Sequence, residues 1–182
     1  MADNYLEKKM DEHRRAAAVR PSARRLSPVG ERRGYVSFKI DELRIFVTDA
    51  SSEIGSAIVR RLRDGGCKVA FAAAEDKAGR ALAQESGARH YPASFSGSVV
   101  GDIAKSWGGI DVLVVTDRSR MAYADAKRII LVDASPEIRR SEGVSVNAIA
   151  TGGLTPAEIA HLCLFLCLKE SACLSGVTLG AL

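Results

Sequence analysis

Residues 44–66 read RIFVTDASSEIGSAIVRRLRDGG, and this stretch constrains the chain more than any other. Ile45-Phe46-Val47 is a short, β-rich apolar run, and Asp49-Ala50-Ser51-Ser52 has the composition of a turn. Ile54, Ile58 and Leu62 then recur every four residues, which gives a helix one apolar stripe that stops at Gly65-Gly66. A strand, a tight turn and a helix in that order make the opening half of a βαβ unit.

The same alternation continues. Cys67 to Ala73 reads as a small-residue strand, and Lys77 to Ser86 as a helix carrying Leu82 with Ala78 and Ala81. Ala88 to Pro92 is a short strand. Val99, Ile103 and Trp107 mark a helix that ends at Gly108-Gly109. Ile110 to Val115, Ile129 to Val132 and Val144 to Ile149 are continuous apolar runs of the kind a sheet buried on both faces requires, and Val177 to Leu179 is a last short strand. Thr155 as N-cap and Pro156 at the first helical position open the final helix, with Ile159, Leu162, Cys163 and Leu166 on its buried face. Strands alternating regularly with helices predict an α/β fold: a doubly wound, mostly parallel sheet in a three-layer sandwich, with ligands expected beyond the carboxyl ends of the strands.

At this point the chain resembles the short-chain dehydrogenase/reductase family, whose first turn reads T-G-x-x-x-G-x-G. Thr48 and Gly55 match that pattern, while Asp49 and Glu53 stand where it has its first two glycines. IDVLVV, RIILVDAS and VSVNAIATGG are similar to the family's fourth, fifth and sixth strands. TPAEIAHLCLFLCLKESACLSGVTL is similar to its last helix and strand. The resemblance covers most of residues 38–180 and implies a Rossmann-like domain that holds NAD(P). The positions it assigns to the cofactor are Thr48, Ser51, Ile54, Gly55 and Asn147; the place of the ribose-binding residue falls by count on Ala73-Ala74, with Glu75 one residue late and equally readable as an exposed acid at a helix start. It also implies a catalytic Tyr-x-x-x-Lys pair with a nearby serine. Tyr123 and Lys127 have that spacing, and Ser135 follows the fifth strand.

Several departures bear on activity. Val115-Thr116-Asp117-Arg118 replaces the family's N-N-A-G. The Tyr123–Lys127 pair precedes the fifth strand, whereas the family's pair follows it. The segments 117–128 and 136–143 leave room only for shortened helices after strands four and five. Thr151-Gly152-Gly153 runs directly into Leu154-Thr155-Pro156, leaving no room for the lid the family inserts there. Two carboxylates beside a pyrophosphate repel it by on the order of 1 kcal/mol each. The leading expectation is therefore a shortened, degenerate relative, with no cofactor or only weak NAD(P) binding and no hydride transfer. The alternative is a working, shortened NAD(P)-dependent oxidoreductase on a small carbonyl or alcohol, using Tyr123, Lys127 and Ser135.

Charge divides the chain. Residues 1–33 hold nine Lys/Arg against five Asp/Glu, and the rest of the 182 residues is balanced, so the net +4 belongs to the N-terminal arm. We therefore separate an arm and linker, 1–33, from a Rossmann-like domain, 34–182, with Tyr35 to Ile40 as an edge strand. The arm lacks interleaved aromatics and any nucleic-acid fold signature, so nucleic acid is not the expected partner. Tyr5, Leu6 and Met10 can line one side of a helix there, continued by Ala16-Ala17-Ala18-Val19, so residues 1–20 are expected to fold back on the body or to reach a second chain in a homo-oligomer. No apolar run reaches membrane-span length and no charged-then-apolar leader opens the chain, which predicts a cytoplasmic protein without membrane contact. Cys163, Cys167 and Cys173 have the helical spacing of core packing, and no metal is expected.

Overall fold

The structure is a computed structural model that describes residues 42–92, 98–117, 126–133 and 143–180. Seven strands form one sheet: β1 Arg44–Val47, β2 Lys68–Ala73, β3 Arg89–Pro92, β4 Val112–Val115, β5 Arg128–Val132, β6 Ser145–Ile149 and β7 Thr178–Leu179. Their spatial order is β3-β2-β1-β4-β5-β6-β7. Among the described residues every strand pairing is parallel. Four α-helices among the described residues accompany it: α1 Glu53–Asp64, α2 Asp76–Ser86, α3 Ser98–Trp107 and α4 Pro156–Cys167. The chain builds outward from β1 to β3, then returns to place β4 on the other side of β1. That reversal opens a crevice at the carboxyl ends of β1 and β4.

Alternation along the strands makes two cores. Ile45, Val47, Val69, Phe71, Val112, Val114, Ile130 and Ile149 face Ile58 and Leu62 of α1 and Ile159 and Cys163 of α4. Phe46, Ala70, Leu113, Val115, Ile129 and Val146 point to the opposite face, where Val100 and Ile103 of α3 cover them. Continuous apolar runs are thus divided between two layers, the Rossmann-like three-layer arrangement. Among the described residues no helix is long and apolar enough to cross a membrane.

Local chemistry sets the helix ends. Ser52 caps α1 by accepting the Gly55 amide at 3.0 Å, with Glu53 in the first turn and Arg61 and Arg63 in the last. Thr155 and Glu158 form a capping box on α4, and Pro156 opens it. Helix α2 ends on Gly87 in the left-handed conformation, φ 70°.

Three details differ from the sequence reading. Helix α2 begins at Asp76 and buries Gly79 and Leu82, whereas Ala78 and Ala81 are exposed. The cause lies on β3, where the His90 ring, packed against Phe71, lies so close to Gly79 that a β-carbon there would collide with it. Helix α4 is apolar nearly all round, so Leu164 and Cys167 are buried with Ile159, Cys163 and Leu166, while Leu162 is half-buried. Cys173 is exposed, not core. The 35–40 edge strand, the arm, Tyr123, Ser135 and most of the two shortened connections lie outside the described residues.

Candidate functional site at the carboxyl ends of β1 and β4

The turn after β1 is held from both neighbouring strands. Thr48, only 3% exposed, accepts the Thr116 amide on its Oγ1 at 3.1 Å, and the two hydroxyl oxygens lie 3.4 Å apart. Thr116 in turn bridges the Asp49 backbone: its Oγ1 accepts the Asp49 amide at 2.9 Å and donates to the Asp49 carbonyl at 2.5 Å. This clasp fastens the β1 turn to the end of β4 across the crevice. The sequence showed Thr116 only as a departure from the family's asparagine, and nothing in the residue type announced its partner.

On the other side the turn is tied to β2. The Asp49 carboxylate accepts from the Ser51 amide at 2.9 Å and from the Ser51 hydroxyl at 2.6 Å, both on Oδ1. Ser51 Oγ accepts the Ala74 amide at 2.7 Å, just past β2. Neither Asp49 nor Glu53 has positive φ, so the turn holds side chains at both former glycine positions without left-handed strain. Gly55 is different. A β-carbon there would lie 2.5 Å from the Asp49 carbonyl oxygen and 2.8 Å from the Ala50 Cα, so helix and turn approach too closely for any other residue.

The remaining positions assigned by resemblance are placed as follows. Ile54 is half-buried against the α1/α4 core. Asn147, 1% exposed in β6, donates from Nδ2 to the Leu174 carbonyl and accepts the Val177 amide, which fixes the approach to β7. Glu75 is an exposed residue at the start of α2 with no side-chain capping bond. Lys127 immediately precedes β5; its carbonyl accepts the Ser145 amide, and its charge helps hold the Asp111 carboxyl below its usual range, after the larger effect of Arg44. Lys127 and Asp111 therefore stand at the amino edge of the sheet. The turn at Asp49 stands at the carboxyl edge, a β-strand of about 13–17 Å away.

Two further features line the carboxyl edge. A groove of about 560 Å³ runs between α1 and α2, lined by Ser51, Ser52, Ser56, Arg60, Glu75 and Glu85 among others. Arg60 lies across it, its Nε and Nη2 on the two Glu85 oxygens at 2.9 and 3.1 Å. Past β5, Asp133 takes a left-handed φ of 58° and accepts the Thr151 hydroxyl at 2.9 Å. Asp49, Glu53, Glu75, Asp117 and Asp133 thus place five carboxylates along or near the strand ends.

Comparison with known proteins bears on the fold. No protein-family model and no curated protein sequence matches the chain. Solved structures do. BdcA (YjgI) from E. coli aligns over 80% of this chain and 98% of its own, at 22% identity and a TM-score of 0.61. A short-chain dehydrogenase/reductase from Serratia marcescens aligns over 80% and 97%, at 16% identity and a TM-score of 0.60. A Pseudomonas aeruginosa RhlG/NADP active-site complex aligns over 80% and 97%, at 14% identity and a TM-score of 0.60. The order of the strands, the helices on both faces and these neighbours agree: the chain has the fold of the short-chain dehydrogenase/reductases.

Proposed function

We propose that the protein is a Rossmann-like binding scaffold, without hydride-transfer activity and with dinucleotide affinity weakened to the high micromolar range or beyond. The observation that carries this reading is the separation of the two halves of the implied active site. A proton relay requires its lysine within hydrogen-bond reach of the tyrosine, and both beside the nicotinamide. Lys127 instead immediately precedes β5 at the amino edge, near Asp111, whereas the phosphate turn lies at the carboxyl edge.

The turn itself does not fit a pyrophosphate. Glycines normally let the phosphates approach the backbone and the helix start. Here the Asp49 carboxylate lies in the turn and engages both donors of Ser51, and Glu53 adds a second negative charge at the helix start. NAD(P), the cofactor implied by the fold neighbours, would meet like charge where it needs donors. Tyr123 and Ser135 remain the residues to test for any residual chemistry.

The protein would then act by binding and assembly in the cytoplasm, with the basic arm, residues 1–33, joining two copies. The test is a search for turnover: purified full-length protein is mixed with NADH or NADPH and a panel of small carbonyls, and with NAD or NADP and alcohols. The absorbance of reduced nicotinamide should stay constant. Turnover that disappears in Tyr123→Phe and Lys127→Met would contradict the reading and restore the oxidoreductase.

A further inference from the structure

The misfit between the turn and a dinucleotide has a specific cause. We propose that Asp49 is a built-in ligand of its own phosphate turn: the carboxylate engages from within the chain two of the donors that a bound phosphate would take, the amide and hydroxyl of Ser51, and so keeps the site latent. This rests on the functional reading above and names the contact responsible for it.

Three observations support the internal ligand. First, one oxygen, Asp49 Oδ1, collects both the amide and the hydroxyl of Ser51, at 2.9 and 2.6 Å. Second, the Ser51 hydroxyl, oriented by that carboxylate, keeps its lone pair for the Ala74 amide at 2.7 Å, so the latch also ties the turn to β2. Third, the Asp49 backbone is fixed from β4 through Thr116, which sets the point from which the carboxylate reaches Ser51. Among the described hydrogen bonds of the turn, the amides of Ser52, Glu53 and Ile54 at the helix start are left without an acceptor, so the donors that Asp49 withdraws are the two of Ser51. A phosphate held by the helix start alone lacks those two donors.

Charge repulsion and internal occupancy predict different behaviour when Asp49 becomes asparagine. Asparagine keeps the Oδ1 acceptor at the same place and removes the charge. If occupancy closes the turn, Asn is as closed as Asp, and only loss of the acceptor opens it. Glycine and alanine both remove the acceptor, and the ordinary φ at position 49 accepts either.

The test is made in the full chain with Glu53→Gln, so that the helix-start carboxylate drops out of the comparison. Asp49, Asp49→Asn, Asp49→Gly and Asp49→Ala versions are titrated calorimetrically with NAD and with inorganic pyrophosphate, and the Ser51 amide exchange rate is measured without ligand. The Asn version should bind as poorly as Asp and keep the Ser51 amide protected. The Gly and Ala versions should bind both probes at least about tenfold more tightly and exchange that amide at least about tenfold faster, the loss of roughly one hydrogen bond. Equal gains in Asn and Gly would overturn the latch and leave charge as the cause. No gain in Gly or Ala, with the Ser51 amide released, would overturn it too. Low-micromolar binding by the unaltered protein contradicts the functional reading itself, so the two failures are distinguishable.

Discussion

Arg44 and Asp111 join β1 to the start of β4 at the amino edge: Arg44 Nε and Nη2 donate to the two carboxylate oxygens at 2.8 Å each, and the Arg44 amide donates to Oδ2 at 3.0 Å. Arg44 Nη1 continues to the Trp107 carbonyl at 2.8 Å, where α3 ends. The pair is mostly buried, with side-chain exposures of 26% and 18%. Replacing Asp111 with Ala leaves the guanidinium without its partner and should cost about 2 kcal/mol in a urea melt at neutral pH. The arginine's hydrogen bonds hold the Asp111 carboxyl below its ordinary range. Its contribution is therefore complete above the unfolded carboxylate value, near pH 4, and is lost as pH falls through the lower folded value. Asp111→Asn should flatten the acid limb of the stability curve; an unchanged limb would place the acid sensitivity elsewhere.

Gly55 marks the closest approach of α1 to its own turn. Gly55→Ala should destabilise the fold by about 2–3 kcal/mol, because the added methyl meets backbone atoms that cannot yield as side chains do. Ser52→Ala, which removes only the cap, should cost about 1 kcal/mol. Thermal melts of both variants test the order, and a Gly55→Ala protein as stable as wild type would mean that the turn relaxes.

The thiols should divide three to one. Cys67, Cys163 and Cys167 are buried and Cys173 is exposed. Burial, with Cys167 nearby, pushes the Cys67 thiol up to about 12. A thiol reagent should therefore modify one cysteine quickly in the native protein and the others only on unfolding. Because the Cys67 value is raised in the folded state, its contribution is complete below the ordinary thiol range and declines as pH rises above about 9. Cys67→Ala should weaken that alkaline decline.

Assembly is tested by truncation. Full-length protein should sediment as a dimer, and protein lacking residues 1–33 as a monomer with a lower melting temperature. Unchanged mass and melting temperature would remove the arm from the account.

Much of the fold was legible because each strand and helix announces itself locally. IDVLVV is an apolar run of the kind that a parallel sheet buries on both faces, and Thr155-Pro156 marks a helix start. What the sequence did not show depends on contacts between distant residues. Nothing around Gly79 indicates that His90, eleven positions on, needs its space. Asp49 and Glu53 were legible as charges replacing glycines, but the Ser51–Ala74 link and the Thr48–Thr116 clasp join strands that meet only after folding. Lys127 was legible in part: its spacing from Tyr123 matched a motif, its place before the fifth strand already set it apart from the family's pair, and its position immediately before β5 puts it at the amino edge of the sheet.

The most direct test of the central claim is an isothermal titration of the unaltered full-length protein with NAD, NADH, NADP and NADPH. Weak binding is predicted for all four, with dissociation constants in the high micromolar range or above, weaker than about −6 kcal/mol. The double change Asp49→Gly with Glu53→Gly should tighten it. A low-micromolar constant for any of the four in the unaltered protein would contradict the account.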